Sequence, residues 1–325
     1  MVVLVGYTGF VGSNIYARAR NRVDGVFNSK NIEKAHGLDP EVLIYAGVRA
    51  EKYLANTDPY RDMEQILQAQ RNIKKINPQK LVLISTIDVY RNPVDVDENV
   101  SALSDVTGMG NELHPYGLNR YYLEEWVRKN YPDALIIRLP GIYGLNIKKN
   151  FIYDYLHVIP SMLKEEKYKE LEALEKPEDA ILLRDCYERL DNGFYRCMRL
   201  LSDQKMLLKE KFRKFGFTAL NFTDSRSSFQ FYPLTRLWED LQTALDHGIT
   251  LLNLATEPIL AGELYKELTG GTFTNELAGK PQKYDFKTVH AEKFGGKAGY
   301  ISSKEEILAD IKLFVENHSS QFLAE

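Results

Sequence analysis

Four apolar residues, Val2 to Val5, run directly into a turn with glycine at positions 6, 9 and 12. A short strand without polar alternation is expected where both faces of a parallel sheet are buried. The glycines constrain the chain further. Gly6 permits a tight strand-to-helix turn, Gly9 lets the backbone approach a pyrophosphate, and Gly12 allows close packing of helix on sheet. The helix that opens after Gly9 would offer free N–H groups to an anion. The turn predicts a βαβ dinucleotide-binding unit, with Gly6, Thr8, Gly9, Phe10, Val11 and Gly12 as cofactor-binding residues.

Apolar runs of the same kind recur at 41–46, 81–84, 134–138 and 249–254. Between most of them lie stretches with helical spacing. Over Met63 to Ile76 the residues Ile66, Leu67, Ile73 and Ile76 are expected to share a face. Strands alternating with helices predict an α/β chain built on a doubly wound, mostly parallel sheet with helices on both faces. The regularity breaks after Gly144. Residues 150–215 carry no clear buried strand, and Lys164 to Asp179 is dominated by Lys and Glu, which reads as a solvated helix face. Strand-like sequence returns at Phe217–Phe222 and Phe229–Tyr232, and Ser303 to Glu306 forms a plausible capping box for a last helix. Residues 1–149, with late core strands from about 217–257, are expected to form the nucleotide-binding domain. Residues 150–216 and 258–325 are expected to form a smaller, mostly helical substrate-binding cap.

The adenosine end of the first unit is unusual. A second strand is expected at Val23–Phe27, yet Asn28, Ser29 and Lys30 follow it where an Asp or Glu would grip an adenine ribose. Ser29 and Lys30 could instead accept a 2′-phosphate, which would favour NADP over NAD. Lys30 is equally well read as a surface lysine. Ala46 and Gly47, just after the third strand, complete this part of the expected cofactor set.

The strand at 81–86 ends in Ser85 and Thr86, and His114, Pro115 and Tyr116, the last of them thirty residues after Thr86, open a helix that contains Arg120. Tyr116 and Arg120 stand four apart, on one helix face. A phenol, a nearby cation and a hydroxyl suit hydride transfer at a carbinol or carbonyl carbon. Tyr116 would exchange the hydroxyl proton, the cation would favour phenolate, and Thr86 would fix the reacting oxygen.

The glycine turn, Thr86 and Tyr116 together resemble the extended short-chain dehydrogenase/reductase family, the NAD-dependent epimerase/dehydratase group. The resemblance implies a Rossmann-like fold, an NAD or NADP cofactor, a nucleotide-activated sugar as substrate, and a homodimer joined by helices on one flank of the sheet. It makes Thr86 and Tyr116 catalytic and places Arg120 where the family has lysine. Guanidinium keeps the charge but is planar and holds its proton, so a proton relay through lysine would be lost or rerouted. Pro140 falls beside the nicotinamide, while Asn150 and Arg226 fall where members contact the substrate diphosphate. Arg226 also reads as a surface salt-bridge residue.

Ile87 cannot serve as the acid of a dehydratase, so dehydration is disfavoured and keto-sugar reduction or epimerisation remains. The missing ribose acid and the Ser29–Lys30 pair tilt the reading towards a reductase. Asp88 and His114 are candidate substrate contacts, with a turn hydrogen bond and a helix cap as their plainer roles. A non-catalytic or regulatory NAD(P)-binding protein of the same fold is the alternative, and a partner-binding protein without dinucleotide is a third. The net charge of −3 provides no footprint for nucleic acid. No apolar run suggests a membrane span, and no basic region precedes the first strand, so a cytoplasmic protein is expected. The histidines show no metal-ligand spacing, and Cys186 and Cys197 read as free thiols.

Overall fold

The structure, a computed structural model, describes residues 1–100, 113–175 and 181–318. The chain divides into two compact units. The first comprises Met1–Ile147, Ser228–Ile259 and Lys283–Ile307; the second comprises Lys148–Ser227, Leu260–Gln282 and Leu308–Glu325. Residues 283–307 thus belong to the first unit and residues 217–227 to the second.

The first unit is built on six parallel strands: β1 (Val2–Val5), β2 (Gly25–Phe27), β3 (Val42–Tyr45), β4 (Lys80–Thr86), β5 (Leu135–Leu139) and the late strand Leu251–Asn253. Their order across the sheet starts at Leu251–Asn253 and continues β5, β4, β3, β1, β2. Every pairing is parallel, with Leu4 beside Ile44 and Val82 beside Leu135. The apolar runs follow from burial on both sides. Leu4, Ile44, Val82, Ile137 and Leu252 face one core, whereas Val3, Leu43, Leu81, Leu83 and Ile136 face the other. Successive residues of a strand point to opposite faces, so only an unbroken run serves both.

Helix α1 (Phe10–Ala19) and the helix Leu237–Asp246 cover the first face through Ile15, Leu237 and Leu241. The short α2 (Lys52–Thr57) leads into α3 (Pro59–Ile76), and α3 with α4 (Pro115–Asn130) covers the second face through Ile66, Ile73, Ile76, Leu123 and Val127. Leu67 leaves the expected stripe and is exposed, because the buried face of α3 runs through Asp62, Ile66, Ala69 and Ile73. This is the α/β architecture that the strand–helix alternation requires.

Departures are confined to short elements. The second unit contains three strands, Met162–Lys164, Phe194–Cys197 and Tyr187–Arg189, paired antiparallel in that order. Their mixed sequences escaped notice because only residues such as Leu163 and Tyr187 are buried. The charged run from Lys164 forms a helix, Glu165–Ala173, that buries Tyr168 and Leu171. The end of that run, 176–179, lies outside the described residues. Phe217–Phe222 is not a strand: Thr218 and Asn221 cap a single 3₁₀ turn, Ala219–Phe222. Thr218 Oγ1 accepts from the Leu220 amide, and such local bonds compete with a sheet ladder. The capping box at Ser303 and Glu306 does form, with each side chain accepting from the other residue's amide.

Candidate active site

The strand order reverses at β1, which has β2 on one side and β3 on the other. Ligands of open α/β sheets bind at such a switch point, beyond the carboxyl ends of the strands. The glycine turn stands there. Gly6 adopts φ +92°, and a Cβ on it would lie 2.4 Å from the Ala46 carbonyl oxygen. A Cβ on Gly12 would lie 2.2 Å from the Gly6 oxygen. Only glycine lets the turn tuck between β3 and α1. Gly9 is the N-cap of α1 and contributes no side-chain cap, and no acidic residue occupies the first turn. Thr8 and Gly9 are exposed, whereas Phe10 and Val11 are half-buried against the core. The cradle, which any side chain would fill, fits a pyrophosphate held by backbone N–H groups.

The remaining cofactor-set residues lie along the same sheet edge. Gly6 N–H donates to Phe27 O at 2.7 Å, so the segment after β2 borders the glycine turn. In that segment Asn28 Oδ1 accepts from the Lys30 amide and Asn31 Oδ1 accepts from the Asn28 amide. This closed turn leaves Ser29 and Lys30 exposed. The Ala46 amide donates to Val5 O, and Gly47 follows it, exposed. Pro140 follows Leu139, whose register partner on β4 is Thr86.

Thr86, Tyr116 and Arg120 come together at the end of β4. Pro115 occupies the first turn of α4, where its missing N–H costs nothing. The Tyr116 amide donates to Asn56 Oδ1 on α2 at 3.0 Å. Tyr116 is 7% exposed, and its phenol is close enough to Thr86 for that hydroxyl to favour the phenolate. Gly117 makes this approach possible, because a Cβ there would lie 2.0 Å from the Asp88 carbonyl oxygen. Gly117→Ala should therefore force α4 off the turn at 87–89 and cost about 1–3 kcal/mol, the range for overpacking. Chemical denaturation of the variant checks this.

The phenol has several charged neighbours. Burial pushes its pKa above the ordinary value. The Arg120 guanidinium opposes that shift, the Asp88 carboxylate adds to it, and the Lys52 ammonium and the Thr86 hydrogen bond pull it down. The net shift is upward, so Tyr116 holds its proton at neutral pH. It is equipped to act as a general acid.

Arg120 is engaged elsewhere. Nη1 pairs with Asp62 on α3, and Nη2 donates to the Arg49 carbonyl. The guanidinium carbon stands 4.3 Å from the centroid of the Tyr116 ring, over its face. Asn119 donates to the same Asp62 oxygen at 2.9 Å and to Pro59 O. Asp88 also carries an ion pair: Lys52 Nζ lies 2.8 Å from its Oδ1. Its Oδ2 is 3.4 Å from Thr86 Oγ1, which in turn accepts from the Asp88 amide. Sequence reasoning missed Lys52, Asn56, Asp62, Gly117 and Asn119. Asp62 alone left a signal, an acid four residues before Ile66 on an apolar stripe, where a charge needs a partner.

The other candidate contacts are placed as follows. His114 is the exposed N-cap residue of α4, and its side chain makes no capping bond. Asn150, in the second unit, caps the helix Phe151–His157, with Oδ1 accepting from the Ile152 and Tyr153 amides. Arg226, also in the second unit, grips Asp224 through Nε and Nη2 and reaches Glu276 through Nη1 at 2.9 Å. That grip holds the Asp224 carboxyl well below the usual range. Both side chains thus have local structural work.

No protein-family model and no curated protein sequence matches the chain. Solved structures do match. A UDP-glucose 4-epimerase from Thermotoga maritima, solved with UDP-glucose, aligns with a TM-score of 0.59 at 15% identity, covering 98% of this chain and 99% of that one. A short-chain dehydrogenase/reductase superfamily protein from Agrobacterium tumefaciens, with bound NAD, aligns at 0.58 and 16%, covering 98% and 97%. A dTDP-4-dehydrorhamnose reductase from Clostridium acetobutylicum aligns at 0.58 and 12%, covering 96% and 99%. At these identities the likeness is one of fold. The chain shares its fold with these structures over nearly its whole length.

Proposed function

We propose that the chain is an NAD(P)-dependent enzyme that reduces or epimerises a nucleotide-activated sugar. The observation that carries this reading is the placement of buried Tyr116 beside Thr86 at the end of β4, on the same sheet edge as the glycine cradle. Hydride exchange at a sugar carbon is the chemistry a bound nicotinamide supplies. Thr86 orients the reacting oxygen through its hydroxyl, and Tyr116 delivers or removes the proton on that oxygen. The turn around Gly6, Gly9 and Gly12 holds the pyrophosphate, and Pro140 lies beside the nicotinamide. Asn28, Ser29 and Lys30 border the adenosine, with Ala46 and Gly47 across the crevice. No carboxylate stands among 28–30, and exposed Lys30 can meet a 2′-phosphate, which favours NADP and with it a reductase. Ile87 argues against dehydration, because it brings no acid to the turn.

The second unit is the proposed source of substrate contacts. Arg226 can keep Asp224 on one edge and exchange Glu276 for a substrate phosphate, since that exposed pair contributes little. Asn150, His114 and Asp88 complete the proposed substrate set. The exposed Tyr60 and Leu67 on α3, with Tyr122 on α4, support a homodimer joined at that flank. No described helix is long and apolar enough to cross a membrane, and among the described residues no group of His, Cys, Asp and Glu is arranged to hold a metal. The enzyme is proposed to work in the cytoplasm without metal.

The reading is tested by offering the protein UDP-, dTDP- and GDP-activated sugars and keto-sugars with each nicotinamide. A reductase consumes one reduced nicotinamide per sugar, whereas an epimerase converts sugar without net consumption. Binding of dinucleotide with no turnover of any of them would favour the second reading, a non-catalytic NAD(P)-binding protein. Arg120, committed to Asp62, is the residue that favours that alternative. Arg120→Lys retains a cation but cannot span both Asp62 and the Arg49 carbonyl, so turnover should fall several-fold. New activity in that variant, absent from the native chain, would instead identify a crippled site.

A further inference from the structure

We propose that Lys52, acting through Asp88, is the cation and solvent-side proton relay that serves Tyr116, a role Arg120 has given up to Asp62. The inference rests on the proposed function above. Arg120 is 5% exposed, lies over the face of the Tyr116 ring, and shares its charge with Asp62, which is 4% exposed. A guanidinium cannot release its proton at working pH. Arg120 can therefore stabilise the ring but cannot resupply the phenol.

Lys52 can. It is the first residue of α2, the helix whose Asn56 accepts the Tyr116 amide. Its Nζ meets Asp88 Oδ1 at 2.8 Å, Asp88 Oδ2 lies 3.4 Å from Thr86 Oγ1, and Thr86 lies beside the phenol. The Lys52 side chain is 43% exposed, so water reaches the outer end of this path while Tyr116 is buried at the inner end. The groups facing the phenol are Arg120 on its own helix, Asp88 on the turn after β4 and Lys52 on α2. Tyr284 faces the Lys52–Asp88 pair. Burial works against the ammonium of Lys52, but Asp88, with Tyr284 and Tyr116, more than restores it, so the side chain stays charged.

The proton balance closes. Tyr116 gives its proton to the nascent sugar alkoxide and becomes phenolate. Thr86 donates its hydroxyl proton to the phenolate and recovers one through Asp88 from Lys52. Lys52 takes one proton from water, so one proton passes from solvent to product oxygen. Sugar oxidation runs the same path backwards.

The test uses protein labelled with ¹³C at the tyrosine ζ carbon, saturated with dinucleotide, with Tyr116→Phe assigning the resonance. Removing a neighbouring cation raises a phenol's midpoint and removing a neighbouring anion lowers it. Lys52→Met should raise the Tyr116 midpoint by about one unit, and Asp88→Asn should lower it. Lys52→Arg should leave the midpoint in place yet lower turnover about tenfold or more, as loss of a positioned proton carrier does. An unchanged midpoint in Lys52→Met, or full turnover in Lys52→Arg, overturns the relay. Failure of the protein to bind any dinucleotide overturns the proposed function instead, and the two outcomes are read separately.

Discussion

Replacing Tyr116 by Phe should lower turnover by about 10²-fold or more, the scale of general acid–base catalysis, and leave dinucleotide affinity unchanged. The ring would remain under the Arg120 guanidinium, because that contact does not use the hydroxyl. Only the hydroxyl beside Thr86, with its transferable proton, would disappear. The glycine cradle after β1 belongs to other elements and should keep its shape. Steady-state rates together with dinucleotide titration of the variant check both halves of the expectation. Retained turnover would remove Tyr116 from the chemistry.

Breaking the buried cluster around Glu124 should cost about 3–5 kcal/mol of stability, the range for leaving a buried charge alone. Glu124 and Arg138 are almost wholly buried. The carboxylate accepts from Arg138 Nη2 at 2.6 Å, from Ser85 Oγ at 2.5 Å and from Arg128 Nη2 at 2.8 Å. These bonds tie α4 to β4 and β5, the elements that carry Tyr116 and Thr86. Arg138 also stacks 4.7 Å from the Tyr90 ring centroid. Glu124→Ala leaves the guanidinium of Arg138 without its carboxylate in the core. The double variant Glu124→Leu with Arg138→Met removes both charges and should lose far less than the sum of the single changes. Denaturant titration of the single and double variants measures the difference.

The framework of the first unit was legible because its physics is local. Val2–Val5 and Leu81–Val82–Leu83 are apolar throughout because each faces two cores, and Gly6 is fixed by one close backbone approach. Thr86, Tyr116 and Arg120 stand out at a strand end and a helix start, and the family resemblance supplied the roles proposed for them. What the sequence could not reveal is how their charges are partitioned. Asp62 and Lys52 reach the site from α3 and α2 through contacts 58 and 36 residues apart in the chain. Nothing in the sequence singles out Gly117, since the Asp88 carbonyl it accommodates lies on another element. The second unit was least legible: its strands are three or four residues long and half polar. The false strand at 217–222 shows that aromatic residues alone do not decide between a ladder and a capped turn.

Native mass spectrometry of the freshly purified chain, alone and with added NADH or NADPH, tests the central claim most directly. One dinucleotide per chain, either retained through purification or bound on addition, is the expected result. Retention would place epimerisation ahead of reduction, and exchange would do the reverse. A chain that stays bare at saturating concentrations of both would contradict the assignment of the glycine cradle and of the chemistry built on it.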